Sequence, residues 1–456
     1  MEAPARKVAL DILCRGEQGV FRAGLFWSED FRALSPQDRA LCEDLVMGTW
    51  RWRNVLDSVI APWSRYPVER LEARVRNALR LGVYQMLFTR IPPRAAVFTA
   101  VEAVGNNRAK KALVNAVLRR VADHLGHVEM PPLEAIESYI EVRYSHPRWV
   151  VRRFIETFGE RGALELASLN QKVPAVTLRA NILRTTRNAL LALLGGAGVK
   201  VRPGRHLDIS VELDGGGPVA GLPGYDDGLF SVQDEAAMAV SLVVDPQPGE
   251  TVWDVCAAPG GKTTHLAELA GDRGLVVATD RHDEGLNLLK RSAARLGLKS
   301  IRVVRADVTK VRDGGAGLGA PFDRVLVDAP CTGLGVLRRR ADLRWRRREE
   351  EVKTMATLQK KILDAVAPSV KPGGVLVYST CTLTQEENQE IFSQFLREHP
   401  EFCPSDPQSF LPASMSQNEM PPDLRARLLT VPGSAFLLPH VHGTDGFFIA
   451  RAIRLR

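Results

Sequence analysis

Two cysteines stand where a sheet presents its chemistry. Cys331 follows the apolar run DRVLVDAP and Cys381 follows GVLVYST. Each run has the length and near-continuous apolar character of a strand buried on both faces. Such strands lie parallel, and their carboxyl ends share the sheet edge at which open α/β folds bind ligands. Thiols at that edge are candidates for nucleophilic chemistry. The other four cysteines, Cys14, Cys42, Cys256 and Cys403, read as buried small hydrophobes. None of the six forms a CxxC pair or neighbours a metal-type histidine. No metal is therefore expected, and free thiols in a reduced, cytoplasmic protein are.

The same edge is acidic and glycine-rich. The run TVWDVCAAPGGKT places Cys256, Ala257, Ala258, Pro259, Gly260, Gly261 and Lys262 just after a strand ending in Asp254. Adjacent glycines let backbone pass close to a ligand, and the helix that follows points its amides at it. A triphosphate loop needs glycine at the position held by Cys256, and the spaced glycines of a dinucleotide fingerprint are absent. What remains is a loop that packs against a nucleoside. Asp280, after LVVAT, suits a ribose diol. Asp307, after IRVVRA, is placed for an adenine amino group, and Asp328 ends the strand before Cys331.

Thiols beside a nucleoside cofactor suit methylation of a pyrimidine. Carbon 5 of cytosine is a poor nucleophile. A thiolate added at carbon 6 turns the ring into an enamine whose carbon 5 attacks a methyl sulfonium, one hard step split into easier ones. Asp328 is the candidate acid near ring nitrogen 3, a role that calls for a raised pKa. A base must then remove the carbon 5 proton, and a second thiol serves, directly or through water. The residue types leave open which thiol attacks.

The elements that position these groups follow from the periodicity of 456 residues. Residues 1–125 read as all helix: Leu71, Val75, Leu79, Val83 and Met86 share one face, as do Leu113, Val114, Val117, Leu118 and Val121. Arg70, Arg74, Arg76, Arg80, Arg108, Lys110, Lys111, Arg119 and Arg120 lie on helix sides, as solubilising charge or as an RNA-binding face. Residues 126–145 read as a connector. Residues 146–235 read as a small α+β domain with a Gly215–Gly217 turn. Residues 236–456 read as an α/β Rossmann-like domain, its mostly parallel sheet closed by an antiparallel hairpin from SAFLLPH and GFFIARAIRL. The net charge is +8 and the pI about 9.3, compatible with a polyanionic partner. No run approaches the length of a membrane span, and MEAPARKVALDILCRGEQG lacks a secretory pattern.

The runs DVCAAPGGKT, VDAPCTGLGVLRR and YSTCTLTQEEN, in this order, resemble the Sun family of RNA cytosine-5 methyltransferases. VQDEAAM (Val232–Met238) and DGFFIAR (Asp445–Arg451) extend the resemblance. DRALCEDLVMGTWRW, LRLGVYQMLF and LVNAVLRR resemble the NusB fold, an RNA-binding helical module. The resemblance implies S-adenosyl-L-methionine as cofactor, held by Cys256–Lys262 with Asp280, Asp307 and Asp328. It implies Cys381 as nucleophile and leaves Cys331 as base in product release; DNA cytosine-5 methyltransferases attack with the Pro-Cys cysteine instead. The pairing of domains is similar to bacterial enzymes acting on 16S ribosomal RNA, as free RNA or an early assembly particle, and a monomer is expected. Transfer RNA as substrate, or a non-catalytic RNA-binding assembly factor, are the alternatives. One departure stands out. Where the family has His or Asn, then Pro and Asp, this chain has Arg340-Ala341-Asp342. The basic run Arg338 to Arg348, beside Cys331, is expected to meet RNA phosphate.

Overall fold

The computed structural model describes residues 4–17, 28–125, 130–215, 217–311, 317–319 and 321–455. Gly216, in the expected glycine turn, lies outside them. The chain divides into two compact units, Met1–Lys172 with Leu337–Arg348, and Val173–Val336 with Glu349–Arg456.

The first unit is helical. Its main helices are Pro4–Glu17, Pro36–Arg51, Arg53–Ile60, Ala73–Phe88, Pro93–Ala103, Arg108–Asp123, Ile136–Arg143 and Arg148–Leu169. Local chemistry sets their starts. Ser35 and Asn107 accept from the amides of Asp38 and Lys110, both at 3.1 Å, caps worth about 1 kcal/mol each. Pro93 occupies a first-turn position, where its missing N–H costs nothing. The expected stripes face the core through Val75, Leu79, Val83, Val114, Val117, Leu118 and Val121. Leu113 is the exception and is exposed.

Three of the predicted surface arginines are ion-paired between helices, Arg80 buried and Arg74 and Arg76 half-buried. Arg80 is buried and ion-pairs with Glu17 at 2.6 Å and Asp57 at 2.7 Å. Arg76 also pairs with Glu17. Arg74 meets Asp11 at 2.6 Å and the carbonyls of Ala103 and Val104. All three hold helices together, and the buried Arg80 is neither solubilising charge nor part of an RNA-binding face. Arg108, Arg119 and Arg120 remain exposed.

In the segment Leu337–Arg348 one member of the expected basic run, Arg344, departs from expectation. Arg344 is fully buried and donates to the carbonyls of Arg51 (3.1 Å), Ser145 (3.1 Å) and Asn170 (2.6 Å). Trp345 Nε1 donates to Trp50 O at 2.7 Å. Asp342 takes Arg340 at 3.0 Å and Arg346 at 2.9 Å. Arg344 therefore stitches protein backbone and does not meet RNA phosphate; backbone carbonyls at helix ends need donors when buried, and a guanidinium supplies several at once.

The second unit holds two sheets. β1 (Val176–Ala180), β2 (Val201–Pro203), β3 (Ser210–Leu213) and β4 (Phe230–Val232) form an antiparallel sheet in the order β2-β3-β1-β4, with the helix Arg187–Gly196 connecting β1 to β2. The larger sheet contains β5 (Thr251–Asp254), β6 (Leu275–Asp280), β7 (Ile301–Arg305), β8 (Phe322–Asp328), β9 (Val370–Thr380), β10 (Phe402–Pro404), β11 (Ser434–Leu437) and β12 (Phe447–Arg454). Its order is β10-β12-β9-β8-β5-β6-β7, with β11 on β12. β5 to β9 pair in parallel, and β10, β11 and β12 are antiparallel. The inner parallel strands β5, β6, β8 and β9 are largely buried, which is why their sequences read as apolar runs, whereas β7 at the edge is only half-buried. Among the described residues no helix is long and apolar enough to cross a membrane. Cys42 is buried, Cys14 and Cys256 are half-buried, and Cys403 is exposed on β10, contrary to the expectation of a small core hydrophobe.

Candidate active site

Strand order brings the sequence motifs to one edge. β8 lies between β5 and β9, so the turns after Asp254, Asp328 and Thr380 are neighbours. Asp328 pairs in register with Ser379, two residues before Cys381. The two thiols meet, Cys331 Sγ to Cys381 Sγ at 3.4 Å. Cys331 is buried and Cys381 half-buried.

Three motifs lock together at Gly335, four residues past Cys331. Its amide donates to Cys381 O at 2.9 Å, and its carbonyl accepts from Gly446 N at 2.8 Å. A Cβ on Gly335 would lie 2.1 Å from Gly446 O and 2.8 Å from Cys381 O. Only glycine lets the three backbones pass this closely.

Around the thiols the charges are arranged asymmetrically. Lys262 Nζ meets Asp328 Oδ2 at 2.7 Å and lies 4.8 Å from the Phe447 ring centroid. Ser379 Oγ donates to the other Asp328 oxygen at 2.9 Å. Burial lowers the Lys262 pKa, but the Asp328 carboxylate outweighs it and the net shift is upward; Cys381 contributes in the same direction. Lys262 is thus a retained cation held against Asp328. The sequence placed it in the cofactor loop alone. Cys331 is pushed well above the usual thiol range, first by its hydrogen bond to Cys381, then by burial, with Glu387 and Asp328 adding to it.

The nucleoside end is built from β5, β6 and β7. The helix Gly261–Leu269 begins at Gly260, which has φ 108° and gives no side-chain cap. Asp280 accepts from Ala258 N at 3.3 Å and His282 N at 2.9 Å. Asp254, buried beneath the loop, takes the Thr263 hydroxyl at 2.6 Å and is pushed up to about 7 by burial; its other oxygen has no protein partner. Asp307 is engaged locally, capping a turn through Thr309 N at 3.2 Å and Thr309 Oγ at 2.6 Å.

Family comparisons agree with this geometry. Residues 241–453 match the model for the 16S rRNA methyltransferase RsmB/F, residues 3–123 the NusB family, and residues 146–220 the ferredoxin-like domain of RsmF/B-like methyltransferases. The chain is 36% identical over 452 residues to a probable ribosomal RNA small subunit methyltransferase B of Bacillus subtilis (strain 168), covering 97% of each chain. The chain belongs to the RsmB/F methyltransferase family. It is 37% identical to ribosomal RNA small subunit methyltransferase B of Escherichia coli O127:H6, over 80% of this chain and 83% of that one. The crystal structure of PH0851 superposes with a TM-score of 0.80 at 26% identity, covering 99% of both chains.

As a family member the protein is an RNA methyltransferase that uses S-adenosyl-L-methionine. Its architecture is a NusB-like helical domain, a ferredoxin-like domain and a Rossmann-like methyltransferase domain with a mixed, mostly parallel sheet. The strand ends fit the cofactor. A helix start without a side-chain cap leaves first-turn amides for a ligand. The half-exposed Asp280 carboxylate offers acceptors to hydroxyls.

Proposed function

We propose that the protein methylates carbon 5 of a cytosine in 16S ribosomal RNA through a covalent adduct on Cys381. The observation that carries this reading is the Sγ–Sγ distance of 3.4 Å between two thiols at the ligand edge. The small-subunit RNA is taken from the names of the relatives, which match over 97% and 80% of the chain.

In this reading the Cys381 thiolate adds to carbon 6 and the ring gains a proton at nitrogen 3. Asp328 passes that proton on, with the Lys262 ammonium 2.7 Å behind it as the source. Held by Cys256–Lys262, S-adenosyl-L-methionine would supply the methyl group to carbon 5 from its sulfonium, becoming a thioether. Cys331 gives its thiol proton to solvent and then takes the carbon 5 proton, directly or through water. The electron pair left behind re-forms the carbon 5–carbon 6 double bond and expels Cys381 as a thiolate, and nitrogen 3 returns its proton through Asp328. The timing of Cys331 follows from the causes that keep it protonated. Two of them are the hydrogen bond and the charge of Cys381, and both vanish once Cys381 is a neutral thioether. Burial, Glu387 and Asp328 still hold the thiol up, so adduct formation eases the ionisation of Cys331 without completing it.

Cys256–Lys262 line the cofactor site, Asp280 holds the ribose hydroxyls, and Asp307 and Asp328 complete it. Asp280→Ala should weaken S-adenosyl-L-methionine binding roughly 10- to 100-fold in calorimetry, the cost of one or two hydrogen bonds to a charged acceptor. Unchanged affinity would remove Asp280 from the site. The reaction itself is tested by bisulfite mapping of total RNA from cells with and without the protein. One 16S cytosine should lose its protection in the deletion. A lost signal in transfer RNA would move the substrate there, and no lost signal would favour a non-catalytic assembly role.

A further inference from the structure

Beneath the two cysteine turns lies a carboxylate to which the reaction above gives no task. Glu387 is fully buried and accepts from four groups: Thr332 N at 2.8 Å, Thr332 Oγ at 2.5 Å, Thr384 Oγ at 2.8 Å and Gln359 Nε2 at 3.1 Å. Thr332 follows Cys331, and Thr384 lies just beyond Cys381. Thr332 Oγ also meets Thr382 Oγ, the residue after Cys381, at 2.7 Å. The next residue, Asn388, grips the other side of the turn. It accepts from Thr380 Oγ at 2.5 Å and donates to Thr382 O at 3.1 Å.

Two features of this network exceed what folding needs. All four donors to Glu387 are neutral, and none of the ion pairs among the described residues includes it. A buried charge without a cation is costly when a neutral amide of the same shape is available. A carboxylate can only accept, so it also fixes the sense of the hydroxyl chain, Thr382 to Thr332 to Glu387. Its charge adds to the hydrogen bond from Cys381 and to burial in holding the Cys331 thiol up.

We propose that Glu387 is the positioning residue that makes the two thiols unequal: it ties the cysteine turns together through Thr332 and Thr384 and places a buried negative charge under Cys331, leaving Cys381 as the thiol that reacts. This rests on the assignment of Cys381 as nucleophile, and the test separates the two. The full-length protein, without RNA, is pulsed with iodoacetamide at neutral pH, and labelling of Cys331 and Cys381 is read by peptide mass spectrometry. Wild type should label Cys381 roughly tenfold or more faster than Cys331. Glu387→Gln, which keeps the shape, should shrink that ratio at least about fivefold, and kcat should fall while KM for S-adenosyl-L-methionine holds. Thr332→Val, which removes the hydroxyl link and keeps the charge, should loosen the ratio less. A wild-type ratio and kcat in both variants overturns the proposal while leaving the methylation chemistry intact. A collapsed ratio supports it even if the RNA product proves not to be 5-methylcytosine.

Discussion

Cys381→Ser will reduce methyl transfer to background, a loss of roughly a thousandfold or more, because a serine hydroxyl supplies almost no alkoxide near neutral pH. Cys331→Ser will fail differently. Attack and methyl transfer need only Cys381, Asp328 and Lys262, and the serine hydroxyl still fills the site 3.4 Å from the nucleophile. Proton removal is what stalls, since a hydroxyl does not ionise when the Cys381 charge disappears. A covalent protein–RNA complex therefore accumulates and survives denaturing electrophoresis. Time courses of labelled methyl transfer, run beside such gels, check both variants. Trapping in Cys381→Ser instead would reverse the two roles, as in the DNA enzymes. Full activity in both would remove covalent catalysis from the account.

The second large effect concerns how the cofactor loop is held. Arg179 on β1 and Glu268 in the helix Gly261–Leu269 pair at 2.7 Å with no exposure on either side chain. Arg179 also donates to Gly261 O at 2.9 Å and to Thr264 Oγ at 3.1 Å, and bonds Gln233. The ferredoxin-like sheet thus grips the first turn of the helix that opens the cofactor site. Arg179→Met strands a buried carboxylate and should destabilise this unit by about 3–5 kcal/mol in urea unfolding. Adding Glu268→Leu removes the stranded charge and should restore most of the loss. Cofactor affinity should stay reduced in the double variant, because Gly261 has lost its donor. A single-variant loss under about 1 kcal/mol would show that the pair is not structural.

Strand ends were legible because burial on both faces writes itself into continuous apolar runs, and topology then carries Asp254, Asp280, Asp307, Asp328, Cys331 and Cys381 to one edge. Buried charges were not. Arg74, Arg76 and Arg80 sit at helical spacings that look solvent-facing, and their partners Asp11, Glu17 and Asp57 are remote in sequence. Arg344 looks like one more member of a basic run until its carbonyl partners are seen. Glu387 stands beside Glu386 in TQEEN, and only the fold decides that Glu387 turns inward. Lys262 reads as part of a glycine loop, and its partner, Asp328, arrives by strand order.

The central claim is that Cys381 forms the bond to carbon 6. It is tested most directly by incubating the Cys331→Ser protein with 16S ribosomal RNA and S-adenosyl-L-methionine, isolating the denaturation-resistant complex, digesting both polymers and sequencing the joined peptide by mass spectrometry. The account predicts a methylated cytidine residue on the peptide that carries Cys381. A nucleotide on any other residue, or no joined peptide from a variant that still methylates the RNA, would contradict it.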